Sequence, residues 1–370
     1  MKMKNKLLTT TAIAGIAFAG LNSVSVAQTT VTGNLDLTYK AISGKGSSSK
    51  VNNVRGFGKE TQINLTNKGK LSNGMDYVAG FSIEHDGAEL GTLSNTTTSG
   101  SAMFNENVYI DFISGKTTFT IGADHIQGPD YEITNIAGIG DLDEIVGGIN
   151  NTAANFITNI GSPYSSFGFG VTQDLGIGKA SIYYSPSAAA RAGDSAGGFG
   201  DHATYVDATN SVYEIGFRGN LGVKGLDAGL WYNNTAANDK GTNGSSLGNY
   251  KATLRYTTGP ITAAAALAEQ EAARTSTSLG GASSNNTRKS KSIGLGYALD
   301  KNTSVGLAHG RTTFDDTQAT KDNGEKITTL SVGYSLGPVA TGVSVGKATN
   351  LRNVKGQDGS AAMLHFNTRF

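Results

Sequence analysis

Cysteine is absent from this 370-residue sequence, and proline occurs only five times. The absence of cysteine excludes disulfide bonds, thiol nucleophiles and cysteine-ligated metal sites. After residue 21 no apolar stretch approaches 18 residues, which excludes membrane-spanning helices. It does not exclude membrane-spanning strands, whose alternating pattern averages to mild polarity. Runs rich in Lys and Arg are also missing, so the sequence does not indicate a nucleic-acid partner.

The N-terminus has the three parts of a secretory signal peptide. Three lysines among the first six residues form a basic head, residues 7–21 form an uncharged apolar run, and the small Ala27 ends the segment. The run is too short for a membrane-spanning helix, which needs about 20 apolar residues. We therefore predict that residues 1–27 are a cleaved signal peptide and that residues 28–370 form one domain, with a formal net charge of −2.

Glycine is over-represented, and the apolar residues follow a period of two. The 51 glycines are nearly twice the usual share of about 7%. In residues 31–41 the odd positions are Val, Gly, Leu, Leu, Tyr and Ala, whereas none of the even positions is apolar. Residues 213–218, 249–257 and 361–370 alternate in the same way. Because successive side chains of a strand point to opposite faces, this period indicates β-strands with one apolar and one polar face.

The connections between the alternating segments are short and long in strict succession. Transmembrane β-barrels have this rhythm, with short periplasmic turns and long outer loops, and closing the sheet leaves no unpaired edge in lipid. We therefore predict an all-β fold, a transmembrane sixteen-stranded antiparallel β-barrel with both termini on the periplasmic side. The predicted strands are 31–41, 56–66, 75–85, 105–113, 117–124, 164–172, 179–185, 211–218, 226–232, 249–257, 261–268, 291–299, 303–310, 326–336, 339–346 and 361–370.

Aromatic residues on the apolar faces fall near the predicted strand ends. A general preference of Tyr and Phe for strands would explain their presence but not this clustering, whereas a barrel in a bilayer has an aromatic girdle at each interface. The outer group contains Tyr39, Phe57, Tyr213 and Tyr250, and the inner group contains Tyr77, Tyr256, Tyr297, Tyr334 and Phe370.

Three segments of the sequence resemble Gram-negative general diffusion porins. Residues 56–86, GFGKETQINLTNKGKLSNGMDYVAGFSIEHD, resemble a porin strand–turn–strand unit. LHFNTRF at residues 364–370 is similar to the C-terminal porin strand that the assembly machinery reads, and FTIGADH at residues 119–125 to the strand before the constriction loop. The resemblance implies an outer-membrane homotrimer in contact with lipid. In that trimer, strands near the N- and C-termini would face a neighbouring subunit, and the second long loop, residues 86–104, would latch over it. The long third loop would fold into a water-filled channel for small hydrophilic solutes and ions, without a cofactor.

The sequence differs from that family at two positions where porins often have an arginine opposite the constriction loop. Porins often carry Arg at the start of the fourth strand and at the end of the fifth. Here Asn105 or Asn107 occupies the first place, and Asp124 with His125 occupies the second. The sequence therefore lacks arginine at two positions that would form the positive side of the implied constriction.

The longest connection, residues 125–163, is the candidate pore constriction. A sixteen-stranded barrel encloses a water-filled lumen, and loops of this length are usually functional or disordered. The segment has no Lys or Arg, so inside the lumen it would form a negative rim. The predicted constriction residues are Asp130, Glu132, Asp141, Asp143 and Glu144.

Charged residues on the polar faces of the strands are candidate pore-wall residues. Charge along a pore selects ions by electrostatic focusing, although in a wide aqueous bore each side chain could also be merely solvated. The predicted wall residues are Lys40, Glu60, Glu84, Arg218, Lys251 and Arg255.

Other functions are less well supported by the sequence. A substrate-specific channel would need an aromatic track along the bore, and the polar faces offer only Tyr109, Tyr183 and Trp231. A barrel enzyme or adhesin would need a catalytic set or large outer domains, and we expect no enzymatic activity. The acidic run at residues 141–144 has oxygen ligands suited to Ca²⁺ but lacks the spacing of an EF-hand.

Overall fold

The structure is a computed structural model, and the part of the chain that it describes is almost entirely β-strand. The described residues are 27–45, 54–89, 104–122, 168–185, 211–235, 247–272, 286–315, 324–350, 355–356 and 358–370. Two predicted segments, the signal peptide up to residue 26 and the third long loop at 125–163, lie outside these residues. No helix within the described ranges is long and apolar enough to span a membrane.

Sixteen antiparallel strands form one closed barrel, as predicted. Each strand pairs with its neighbours in the chain, and β1 pairs with β16 to close the sheet. The strands are β1 (Gln28–Lys45), β2 (Val54–Lys70), β3 (Asp76–Glu89), β4 (Phe104–Ser114), β5 (Thr117–Gly122), β6 (Gly168–Asp174), β7 (Lys179–Ser185), β8 (Val212–Gly219), β9 (Leu226–Thr235), β10 (Leu247–Thr258), β11 (Ile261–Ala272), β12 (Asn286–Ala298), β13 (Thr303–Asp315), β14 (Glu325–Leu336), β15 (Val339–Thr349) and β16 (Asp358–Arg369).

The last residue of the chain completes the closure. The backbone N–H of Gly33 donates to the carbonyl of Phe370 at 2.8 Å, and the N–H of Phe370 donates to the carbonyl of Gly33 at 3.0 Å. A side chain at position 33 would collide with its neighbours, since a Cβ there would lie 2.6 Å from the backbone carbonyl oxygen of Gln62 and 2.7 Å from Cζ of Phe370. Glycine is therefore required where the two ends of the barrel meet.

The seven connections at one end of the barrel are tight turns. Residues 115–116 and 337–338 join their strands through Gly115 and Gly337, whose φ angles of 58° and 74° favour glycine. In the turn before β13, the Asp300 carboxylate accepts bonds from the backbone N–H groups of Asn302 at 2.6 Å and Thr303 at 2.9 Å. The bond from Asn302 is the main cause that holds the pKa of Asp300 below its usual value. These turns confirm the predicted alternation of short and long connections.

Alternate residues of each strand face the lumen and the outer surface. In β14, Leu330, Val332 and Tyr334 are exposed, while the alternating Thr329 and Ser331 are buried. A barrel surface covered with large exposed apolar side chains is the surface that meets lipid. The structure also places the predicted outer aromatics on this surface, where the rings of Tyr184 and Tyr213 lie 5.1 Å apart.

Several strands continue further toward the long-loop end than the sequence predicted. The largest differences are in β12, which begins at residue 286 rather than 291, and in β13, which ends at 315 rather than 310. The hydrogen-bonded ladder continues there, but outward-facing residues such as Lys289 and Arg311 are no longer apolar. The apolar–polar alternation that identifies a strand in the sequence is therefore lost before the strand itself ends.

The two faces of β10 give the first prediction. Leu254 points outward and is exposed, whereas its neighbour Arg255 points into the lumen. We expect Leu254→Arg to destabilise the barrel in lipid by roughly 2–4 kcal/mol, because it places a charge near the middle of the bilayer. Arg255→Leu should cost about 1 kcal/mol or less, because it removes only a partly exposed ion pair. Equilibrium unfolding in lipid vesicles measures both, and similar losses would contradict the assignment of the two faces.

Candidate functional site in the barrel lumen

One part of the lumen wall is predominantly acidic. We call Asp36, Glu60, Glu84 and Asp111, on β1 to β4, the acidic sector. Asp36 is held in place by its neighbours on β16, with one oxygen 2.5 Å from Nε2 of His365 and the other accepting a 2.7 Å bond from Asn367. These contacts fix the carboxylate at the wall.

The other acidic-sector residues are also held at the wall. Thr120 donates to the Asp111 carboxylate at 2.5 Å. Gln62 donates to the Glu84 carboxylate at 3.4 Å, and Glu84 is only 7% exposed. Lys40 faces the lumen beside this sector, next to Met363 of β16. The four acids outnumber it, so this part of the wall carries net negative charge.

A second part of the wall is predominantly basic. We call Lys179, Arg218, Lys251 and Arg255, on β7 to β10, the basic sector. Asp227 of β9 lies between the two arginines and accepts bonds from Arg255 at 2.7 Å and from Arg218 at 3.1 Å. One carboxylate therefore holds two guanidinium groups in a fixed arrangement.

Small residues on β11 make room for the long basic side chains of β10. Lys251 is directly opposite Ala268, and Arg255 is directly opposite Ala264. On its other side Lys251 is opposite Trp231 of β9. Lys251 is only 7% exposed, so its aliphatic stem lies against these apolar neighbours, as lysine stems do on apolar surfaces.

The two sectors are well separated around the barrel. β5 and β6 lie between them on one side, and β11 to β16 lie between them on the other. The lumen therefore has a negative wall and a positive wall on separate parts of one polar bore. Within such a bore, low-dielectric walls strengthen the field of each charged group relative to bulk water.

The lumen-facing aromatic residues lie against the wall rather than across the bore. The Tyr183 ring covers Gly168, where a Cβ would approach the ring to 2.5 Å, and its hydroxyl donates to the carbonyl of Gly122 at 3.2 Å. Tyr183 is 2% exposed and Trp231 is 6% exposed. Rings that are covered in this way do not offer faces for stacking with sugars, so this arrangement does not favour the substrate-specific alternative.

A β-bulge marks one of the places where the resemblance implied an arginine. The pairing of β3 with β4 shifts register between Gly80 and Ser82, and Asn107 has a φ of 51°. The side-chain amide of Asn107 donates to the Ser82 hydroxyl at 3.1 Å. Asn107 therefore stabilises the bulge and adds no charge to the lumen. The second place, at Asp124 and His125, lies outside the described residues.

The six predicted pore-wall residues lie on the lumen face of the barrel. Lys40, Glu60 and Glu84 are in or beside the acidic sector, whereas Arg218, Lys251 and Arg255 are in the basic sector. Three members of these sectors, Asp36, Asp111 and Lys179, are not among the six. The alternation could have identified Asp111, which lies between the outward Ile110 and Phe112, and Lys179, which begins β7. Asp36 follows the same alternation in β1.

The predicted constriction residues lie in a different part of the chain. All five of these residues, and the acidic run considered for Ca²⁺, lie outside the described residues. The five are Asp130, Glu132, Asp141, Asp143 and Glu144.

Comparisons with known proteins agree with this geometry. A family model described as Gram-negative porin matches residues 9–317. OmpF of Salmonella typhi, solved in complex with daunomycin, is similar with a TM-score of 0.63 and 10% identity over 93% of this chain and 98% of that one. An anion-selective porin from Comamonas acidovorans has a TM-score of 0.61 and 13% identity over 93% and 100%.

A third solved structure has a recorded assembly. The trimer form of in-vitro folded OmpT from Vibrio cholerae has a TM-score of 0.56 and 13% identity over 93% of this chain and 99% of that one. Identities this low show a shared fold only. No curated protein sequence is significantly similar to this one.

The bond network of Asp227 gives the second prediction. We expect Asp227→Asn to increase the permeability of the lumen to anions relative to cations, because it leaves Arg218 and Arg255 without their shared carboxylate. The zero-current potential across a KCl gradient in a planar bilayer measures this change. Asp76→Asn is the matched control, since it removes the same charge from an exposed 2.6 Å pair with Lys70 at the turn end of the barrel. Equal shifts in both variants would contradict a special role for Asp227.

Proposed function

Since this chain belongs to the Gram-negative porin family and forms a diffusion channel for small polar solutes across the outer membrane, we propose that opposed wall charges sort ions within its lumen. The observation that carries this proposal is the separation of the acidic sector from the basic sector. A hydrated cation lowers its energy near the negative wall and an anion lowers its energy near the positive wall. The two kinds of ion would then follow different paths through one bore.

Fixed geometry makes this wall charge effective. Asp36 and Asp227 each accept at least two hydrogen bonds, and Asp111 accepts one of 2.5 Å from Thr120. Groups that are already oriented need little rearrangement when an ion passes, so their field acts throughout its passage. The bonds between Asp227 and its two arginines also reduce the net positive charge of the basic sector.

We further propose that residues 125–163 enter the lumen and make the channel modestly selective for small cations. The segment contributes five carboxylates and no base, while the basic sector is partly neutralised by Asp227 and Glu214. The preference should decrease as the salt concentration approaches 1 M, where the Debye length is about 3 Å. The arginines that the family often places opposite this loop are replaced here, at least at Asn107.

The third prediction tests the loop. Replacing Asp141, Asp143 and Glu144 together with Asn, Asn and Gln should reduce or invert the cation preference, measured as the zero-current potential across a KCl gradient. A matched control replaces three acids of the next long connection, Asp194→Asn, Asp201→Asn and Asp207→Asn. If the loop variant keeps the potential of the unmodified channel, the loop acids lie outside the constriction and the proposal fails.

We also propose that the chain assembles as a homotrimer through the outer surface of β1 to β3. The outward face there is not uniformly apolar, because the exposed Lys59 lies directly opposite Leu37. A lysine facing hydrocarbon would be costly, by roughly 2–4 kcal/mol at the midplane. Beside it a groove of about 280 Å³ is lined by Leu37, Tyr39, Phe57, Lys59 and Phe366, among others. A neighbouring subunit would cover this groove and give Lys59 a protein environment.

The location of this surface agrees with the family resemblance, which implied contacts near the two ends of the chain. The OmpT of Vibrio cholerae that is similar to this chain is described as a trimer. The second long loop, which the resemblance suggested as a latch, lies largely outside the described residues.

The fourth prediction compares two aromatic residues at the outer rim. Phe57 is 65% exposed beside the groove, whereas Tyr213 is 54% exposed on β8, away from it. Phe57→Arg should convert trimers into monomers in mild detergent, while Tyr213→Arg should leave the trimer intact. Native mass measurement distinguishes the two outcomes. The proposed interface would be overturned if both variants remained trimeric or if the unmodified protein were a monomer. Neither result would affect the assignment of the chain as a channel.

A further inference from the structure

Two neighbouring turns at the turn end of the barrel carry exposed aliphatic side chains. Residues 175–178 join β6 to β7, and residues 220–225 join β8 to β9. We call Leu175, Ile177, Leu221 and Val223 the apolar turn patch, and each of these residues is between 46% and 51% exposed. Apolar surface that is gathered in one place on a protein usually marks a site of contact with another molecule.

The two turns are joined to each other. The backbone N–H of Leu221 donates to the carbonyl of Ile177 at 3.0 Å. Glycine makes this approach possible, because a Cβ at Gly219 would lie only 2.3 Å from Cα of Gly178. A Cβ at Gly222 would lie 4.0 Å from Cγ2 of Ile177, so the side chain of the first turn reaches the second. The apolar turn patch is therefore one surface.

The backbone N–H groups at the tips of both turns donate to oxygens of the protein. Side-chain oxygens of Asp174 and Asn220 accept the bonds from Gly176 at 2.7 Å and from Gly222 at 2.9 Å. Backbone carbonyls accept the bonds, at 2.8 to 3.0 Å, from Leu175, Leu221 and Val223. A backbone N–H without a partner is costly inside a bilayer. These five groups need no water, so the turns are able to lie in lipid.

The other five turns at this end have different residues at their tips. None of these tips carries Leu, Ile or Val, because they are polar or consist of glycine with lysine or proline. The pairs of tip residues are Ser72 and Asn73, Gly115 and Lys116, Gly259 and Pro260, Asp300 and Lys301, and Gly337 and Pro338. The aliphatic tips are thus a local property of the β6 to β9 side of the barrel.

The strands on this side are short. Six residues separate the outer-rim Tyr184 from Gly178, and six separate the outer-rim Tyr213 from Gly219. At about 3.4 Å per residue and a tilt of about 40°, six residues descend roughly 16 Å along the barrel axis. The apolar band of a barrel is about 25 Å tall. Both turns therefore begin within the thickness of the hydrocarbon layer.

The apolar turn patch is continuous with the lipid-facing surface above it. Ile182 and Ile215 are exposed on the outside of β7 and β8. Below Ile215, the ring of Phe217 extends to the first turn, where a Cβ at Gly178 would lie 2.6 Å from its Cζ. Aliphatic and aromatic side chains thus extend from the middle of the outer surface to Ile177.

We propose that the apolar turn patch inserts into the periplasmic leaflet and contacts the acyl chains of phospholipids there. On this side of the barrel the turns themselves would complete the lipid-facing surface, whereas the other turns lie in water. Lys224, next to Val223, is exposed, and its long stem can carry the ammonium group to the level of the lipid headgroups. The inserted turns would anchor the barrel in the bilayer on the side where its strands are shortest.

The test places one tryptophan at a time in the full chain and measures quenching of its fluorescence. Ile177→Trp and Val223→Trp probe the patch, and Ser72→Trp and Lys301→Trp are controls in two other turns. Each variant is folded into phosphatidylcholine vesicles whose acyl chains are either unmodified or brominated. The signal of Trp231, the single native tryptophan, is measured in the unmodified chain and subtracted. Conductance in a planar bilayer verifies that each variant has folded.

Brominated acyl chains should quench the emission of Ile177→Trp and Val223→Trp at least twofold, because bromine quenches only a ring that it touches. The same lipids should leave Ser72→Trp and Lys301→Trp nearly unchanged. Aqueous iodide should give the opposite order, with strong quenching of the two controls and little quenching of the two patch variants. The emission maxima of the patch variants should also lie at shorter wavelength than those of the controls.

Three results would overturn the proposal. The first is equal quenching of patch and control variants by brominated lipid. The second is equal access of iodide to both groups, which would place the patch in water. The third is a patch that neither quencher reaches, which would mean that protein covers it. In that last case, loss of assembly in the double variant Ile177→Gln with Val223→Gln would identify a second copy of the chain as the cover. All three results leave the conductance, and with it the channel function, unaffected.

Discussion

The requirement that every backbone hydrogen bond be made within the protein determines this structure. Inside a bilayer no water is present to satisfy a free N–H or carbonyl, so a sheet in lipid must have no edge. The pairing of β1 with β16 meets that requirement, and the rest follows from it. A closed sheet has two faces, and because one must be apolar, the polar and charged residues of every strand are collected on the other. The lumen and its opposed charges are therefore consequences of closure.

Glycine and other small residues allow that arrangement to hold large side chains. Gly168 lets the Tyr183 ring lie flat on the wall, and the alanines of β11 leave space for Lys251 and Arg255. Charged groups of the lumen are held by neighbours, most clearly where Asp227 joins two arginines. Short-range contacts along the wall therefore orient the charged side chains of a wide pore, and the bore itself is not filled.

The sequence predicted the strands well where one face is apolar and poorly where both faces are polar. β7 was predicted with its observed bounds, Lys179–Ser185, because alternation continues to both ends. β12 was predicted five residues too short because Lys289 and its neighbours interrupt the pattern. The side of the sheet on which each wall residue lies was also predictable, since it depends only on the period of two along a strand. The contacts of Asp227 with Arg218 and Arg255 were not predictable, because they depend on the register between strands.

The pairing of Gly33 with Phe370 has a consequence for how the barrel assembles. Gly33 lies in β1, and its two bonds are to Phe370, more than 300 residues further along the chain. Until β16 pairs with β1, both strands have an unpaired edge that lipid cannot satisfy. Closure therefore joins two strands that are more than 300 residues apart, at the entropic cost of a very long loop. A variant without β16 would lack the partner that β1 requires.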